Sequence, residues 1–169
     1  MTMRPSIHPL RLFLAALILI AVSSPAIAGA CSVSSSGLAF GAYQPLTFAG
    51  KLVSADKTTD GAISVVCTGI VTGGSYSISL GPSTTGNSIS PRYLDRIGGG
   101  SAMVYNIYRE ASFTSIWGNG VTGSVLAGNL PVGDSNHTHT VYGRIPAGQR
   151  SLRAGNYSAS LTMTITYEP

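Results

Sequence analysis

Apolar and polar residues alternate singly along most of this chain, in short runs separated by glycine and proline. The longest run covers 157–167. Tyr157, Ala159, Leu161, Met163, Ile165 and Tyr167 fall on one side, and Ser158, Ser160, Thr162, Thr164 and Thr166 on the other. Successive strand side chains point to opposite faces, so the run predicts a β-strand with its apolar face on a core and its hydroxyl face toward water. Ile63, Val65 and Cys67 predict another strand after an expected turn at Asp60-Gly61, and Tyr76, Ile78 and Leu80 a third. The stretch 103–108 is apolar at nearly every position, as in a strand covered on both faces. His139, Val141, Gly143 and Ile145 alternate with Thr140, Tyr142 and Arg144 until Pro146 ends the run.

Glycine-rich stretches at 81–87, 98–101 and 118–123 read as turns or loops. Residues 93–97, between Pro91 and Gly98, suit one helical turn. No segment after residue 28 sustains a helical period, and no repeat recurs at a fixed spacing. Regularly spaced short strands punctuated by Gly and Pro predict an all-β chain, an antiparallel sandwich or barrel.

The first 28 residues break the pattern. Arg4 and Arg11 precede or flank an uncharged apolar run at 12–22, and Ala26-Ile27-Ala28 offers the small residues a signal peptidase reads. The run is too short to span a bilayer comfortably. Residues 1–28 are therefore expected to be a signal peptide, with an uncleaved anchor as the alternative. Ala28-Gly29-Ala30 offers a second cleavage frame just before Cys31; a lipoprotein signal would usually carry Leu where Ala28 stands. The remaining stretch, 29–169, has the length of one domain and no composition shift within it.

In that stretch eight basic residues stand against six acidic ones, a net charge of about +2, and they are scattered. Nucleic acid is not an expected partner. Cys31 and Cys67 are the only cysteines. In an exported chain such a pair is most simply a disulfide, with two free thiols or half a metal site as the alternatives.

Candidate chemistry is sparse. His137 and His139 would share a strand face, with Asp134 nearby, but no third ligand is evident, so neither metal nor cofactor is expected. Gly98-Gly99-Gly100 lacks the Lys-Ser or Lys-Thr and the strand-helix frame of a phosphate loop. No serine sits in a nucleophile elbow, and the six acids are dispersed, so no catalytic residue is expected. Trp117, Tyr105 and Tyr108 suit either a glycan- or surface-binding platform or packing in a core.

Taken in order, several motifs resemble one family. Cys31, Phe40-Gly41-x-Tyr43, Cys67, Arg92, Tyr105-Asn106-Ile107-Tyr108, Trp117-Gly118, Val141-Tyr142-Gly143-Arg144-Ile145 and Ala154-Gly155-x-Tyr157 resemble the spore coat protein U domain, over essentially all of 29–169. Ala159 departs from the pattern, standing where an acidic residue is expected.

The resemblance implies an immunoglobulin-like antiparallel β-sandwich, incomplete and lacking its last strand, with a groove left open along the core. It also implies a non-enzymatic secreted subunit of a surface pilus or fimbria, serving cell adhesion or biofilm. In such systems a periplasmic chaperone fills the groove with a strand. An outer-membrane usher then exchanges that strand for the N-terminal extension of another pilus subunit. Tyr157, Leu161, Met163, Ile165 and Tyr167 are the groove-lining candidates. The stop at Pro169 leaves no following strand, and cleavage after Ala28 leaves only Gly29 and Ala30 ahead of Cys31. The expectation is a subunit that accepts a donor strand without giving one, at or near a pilus tip. A secreted spore-coat or extracellular matrix protein of the same fold, or a surface-binding adhesin, are the alternatives.

Overall fold

The computed structural model describes residues 29–49 and 53–168, so the expected signal peptide lies outside the described residues. Two long strands form the spine, β2 (Lys57–Ile70) and β7 (Gly133–Ile145), antiparallel from Lys57 opposite Ile145 to Ile70 opposite Gly133. Their alternation sends Ile63, Val65, Cys67, Val141 and Ile145 inward, where each is buried. The edge strand β1 (Ala30–Ser35) lies along β2, and the Cys31–Cys67 disulfide joins residues that face each other in that ladder.

A second layer covers this inner face. In it β3 (Gly74–Leu80) lies between β6 (Leu126–Leu130) and β9 (Met163–Glu168). Tyr76, Ile78 and Leu80 of β3 are all buried, as their alternation requires. The strand β5 (Ala102–Tyr108) connects the layers. Its 106–108 end pairs with β7, and its 102–105 end pairs with β4 (Arg92–Arg96), which in turn pairs with β8 (Tyr157–Ser158). The architecture is an antiparallel sandwich consistent with the immunoglobulin-like class.

Three expectations change on contact with the structure. The run 157–167 keeps its alternation of half-buried and exposed positions, broken only at the exposed Ala159, but it is two strands, β8 and β9. The cause lies in its partner. Leu80 stands opposite Met163, Gly81 N–H donates to Thr162 O at 2.9 Å, and the ladder resumes with Asp95 opposite Ser158 and Arg96 opposite Tyr157. Thus β3 and β4 act as one interrupted strand, and 82–91 is an excursion out of the ladder, containing a single 3-10 turn at Thr85–Asn87. Opposite the excursion, 159–162 has no strand partner.

The second change concerns Asp60-Gly61, which is not a turn. Both residues lie inside β2, and a Cβ on Gly61 would come within 2.5 Å of Gly37 O. The glycine gives clearance to a chain crossing over it. Third, 93–97 forms most of β4 instead of a helical turn. The expected two-sided cover of 103–108 holds for Met103, Tyr105, Asn106 and Ile107, whereas Val104 and Tyr108 are half-buried.

One buried cation fixes the junction of the layers. Arg92 is 0% exposed and, among the described residues, has no carboxylate partner. Its guanidinium donates to Leu80 O and Gly81 O at 3.0 Å and to Asn106 Oδ1 at 2.8 Å. Burial lowers its pKa to about 10, and Tyr105 partly offsets that; the Tyr105 phenol is itself pushed up to about 12 by burial. Arg92 therefore stays charged at neutral pH, satisfied by neutral oxygens that tie β4 to the end of β3 and to β5.

Candidate functional site

After β1 the chain leaves the sheet edge and crosses the inner face of the spine. Ser36 N–H still donates to Ala62 O at 3.0 Å, and then Leu38 and Phe40 turn inward. Two glycines on neighbouring strands make this crossing possible. Besides Gly61, a Cβ on Gly143 of β7 would lie 2.6 Å from the Phe40 ring. Phe40 then packs edge-on against Tyr105, with ring centroids 6.1 Å apart, and Tyr43 Oη donates to Pro146 O at 2.7 Å. The crossing segment thereby becomes part of the second layer without joining a ladder there.

The second layer ends on its other side at the last strand. Among the described residues β9 pairs only with β3, and β1 only with β2, so each presents one free edge. At one pole the two edges meet, where Tyr167 Oη donates to Gly29 O at 2.9 Å. Away from that pole they separate, and a groove opens between the crossing segment and the last strand.

The groove has a narrow and a wide part. The narrow part, about 180 Å³, has Leu38 and Phe40 on one flank and Ala159, Leu161 and Met163 on the other. Its floor is core: Ile63, Tyr105, Ile107, Trp117 and Val141. It leads to a wider recess of about 1030 Å³, lined by 38–46 and 152–159 together with Leu94, Met103 and Ile145. Ala159 borders both parts. The flanks are apolar, and Leu38, Phe40, Leu94, Leu152, Leu161 and Met163 are only half-buried.

The expected groove residues separate into three groups. Leu161 and Met163 flank the narrow part, and Tyr157 borders the wide recess. Ile165 and Tyr167 border neither; they pair with Ile78 and Tyr76 and pack on the core at the closed pole. The flank made by Leu38 and Phe40 was not expected from the sequence. Their i, i+2 spacing is the signal that pointed to it, masked by the glycines on either side.

Other candidates fall elsewhere. Trp117 and Tyr105 are 1% and 3% exposed, and Trp117 Nε1 donates to Ile78 O at 2.9 Å, so both are core residues. Tyr108 packs edge-on against Phe113 at 5.4 Å. His137 and His139 share the inner face of β7, both against Tyr76. Among the described residues no three His, Cys, Asp or Glu side chains gather as a metal site, and no helix is long and apolar enough to cross a membrane.

No curated protein matches the chain in sequence. A solved chain from work on a chaperone–tip adhesin complex in CFA/I fimbriae biogenesis is similar over 73% of this chain, at 14% identity and a TM-score of 0.42. This chain spans 38% of that one. The Spore Coat Protein U domain matches residues 16–164, which include both cysteines, Arg92 and both flanks of the groove. The chain belongs to the spore coat protein U domain family.

Proposed function

We propose that this protein is a non-enzymatic structural subunit of a surface pilus of the chaperone-usher type, and that its groove accepts a β-strand from a partner. The observation that carries the reading is the pair of free edges, β9 and the chain running from β1 into 36–46, with an apolar cleft between them. A strand laid there would gain ladder hydrogen bonds along the last strand. Its alternate side chains would cover Leu38, Phe40, Leu161 and Met163. Four or five apolar side chains so buried are worth about 1.5 to 3 kcal/mol each, comparable with a whole domain's net stability.

The partners in this reading are a periplasmic chaperone, an outer-membrane usher and other pilus subunits. The route is export through the periplasm to the cell surface. The place at or near the tip is the part that the mature N-terminus decides. A mature chain starting at Gly29 would have little to donate, whereas one starting further upstream would carry a donor segment and belong within the shaft.

Thermal unfolding of the mature domain tests strand acceptance. Its Tm should rise strongly on adding an excess of a peptide with alternating apolar residues, roughly 10 residues long to match a strand-length groove. A scrambled peptide of the same composition should do little. A domain equally stable with and without the alternating peptide would sink the proposal.

A further inference from the structure

Ser135, His137 and His139 occupy alternate positions on β7, on the face that carries Val141 and Ile145 into the core. Facing them from β3 is Tyr76. Its ring centroid lies 5.5 Å from that of His137 and 5.8 Å from that of His139, and its Oη is 2.8 Å from His139 Nε2. Beside Tyr76 in the same sheet is β6, where Gly128 is its register partner. A Cβ on Gly128 would collide with the phenol oxygen, so this position holds open the space the hydroxyl occupies.

Two side-chain atoms in this cluster are buried and have no hydrogen-bond partner among the described residues: Ser135 Oγ and His137 Nε2. A buried polar atom left unsatisfied costs about 1–3 kcal/mol, and such an atom calls for a partner that the protein itself does not supply. The unpartnered His137 Nε2, beside the His139 imidazole and the Tyr76 phenol, brings together the donor types of a metal site. We propose that His137, His139 and Tyr76 form a binding site for a first-row divalent cation, taking Cu²⁺ more tightly than Zn²⁺.

The chemistry of the three groups fits. Imidazole nitrogens suit copper and zinc, and for a given nitrogen and oxygen set Cu²⁺ binds tightest among these ions. Ligand bonds of about 2.0 Å place neighbouring donor atoms roughly 3 Å apart, the separation that Tyr76 Oη and His139 Nε2 already have. On binding, the metal–oxygen bond replaces the Tyr76 O–H bond and the proton leaves to solvent. The third ligand was invisible in the sequence because it arrives from β3, 63 positions before His139.

Calorimetric titration of untagged, chelator-stripped mature protein with CuSO₄ and with ZnCl₂ tests the site, beside electron paramagnetic resonance of the copper form. The expected result is one saturable site per chain, tighter for Cu²⁺, with a signal split by two nitrogens. His137→Gln should remove one nitrogen from that signal and weaken binding about tenfold or more. Tyr76→Phe should weaken Cu²⁺ binding while leaving both nitrogens. Absence of saturable binding by the wild-type protein, a signal without imidazole nitrogen, or undiminished binding by the His137→Gln/His139→Gln double variant would each overturn the proposal.

Discussion

The spine of the sandwich and the seam beside its last strand are built from the same kinds of residue, yet they bury them to different depths. In the spine and β3, Ile63, Val65, Ile78 and Val141 are at most 2% exposed. Along the seam, Leu38, Phe40, Leu161 and Met163 remain half-buried although they pack against that same core. Alternation does not separate the two regions, because both alternate. What separates them is lateral neighbours: Ile63, Val65 and Ile78 have a paired strand on each side and a layer above, whereas of the seam residues Met163 has a paired strand on one side only and Leu38, Phe40 and Leu161 have none. The apolar area left open there is stabilisation that the domain alone does not collect.

The largest way to break this comparison is to cut into the closed region. Trp117 is 1% exposed and joins the layers through its bond to Ile78 O. Trp117→Ala is expected to cost about 4–5 kcal/mol, measured as a lowered urea midpoint, through lost transfer energy and the cavity left behind. A cost near 1 kcal/mol would mean that the closed region is no better packed than the seam.

Arg92 tests whether the closed region also depends on polar satisfaction. Arg92→Met keeps much of the side-chain volume but removes the guanidinium donors of Leu80 O and Gly81 O and leaves Asn106 Oδ1 with only the Ile107 N–H. A loss of about 3 kcal/mol is expected by chemical denaturation, with Arg92→Lys recovering only part of it because one ammonium cannot reproduce the fork. Full stability of Arg92→Met would show that packing alone holds β4 to β3.

The seam should respond differently according to whether it is filled. In the domain alone, Leu161→Ala is expected to cost only about 1 kcal/mol, since the side chain is half-buried to begin with. With a bound alternating peptide the same substitution should weaken peptide affinity as well, read as a smaller Tm increase at equal peptide concentration. Equal losses for Leu161→Ala with and without peptide would place Leu161 in the core and outside the groove.

Much of the closed region was legible in the sequence. Ile63, Val65 and Cys67, and Tyr76, Ile78 and Leu80, announce their shared faces by period-two spacing, and the structure keeps them. The seam was legible on one flank only. Leu161 and Met163 belong to a regular run, whereas Leu38 and Phe40 sit in an irregular segment positioned by Gly61 and Gly143, which belong to two other strands. A glycine in a strand reads locally as a turn or a defect; its role as clearance for a crossing chain exists only in three dimensions. The break in the last strand was hidden for a similar reason, because it comes from the 82–91 excursion in its partner and not from residues 159–162 themselves.

The smallest expected effect is a pH dependence confined to the closed pole. His139 has its pKa lowered from the ordinary 6.5, first by desolvation and then by the charges of His137 and Arg109. Well above 6.5 the imidazole is neutral in both folded and unfolded chains and contributes nothing to the pH dependence. As the pH falls through 6.5 the unfolded chain takes up the proton first, so stability declines until the folded value is passed and then levels off. Protonation makes both ring nitrogens donors, so His139 Nε2 can then only donate across its 2.8 Å contact with Tyr76 Oη. Asp56 and Glu110 have lowered pKa values, Asp56 chiefly through the Ala147 backbone N–H and Glu110 chiefly through the Thr114 hydroxyl. Their stabilising contributions are therefore lost as the pH falls through the ordinary carboxylate range toward their lowered values, beneath the range in which His139 acts. The urea midpoint should accordingly drop modestly between about pH 7.5 and 5.5 in the wild type, and less in His139→Gln, while Leu161→Ala should leave the drop unchanged. A drop that survives in His139→Gln would assign it to another group and remove His139 from the account of the closed pole.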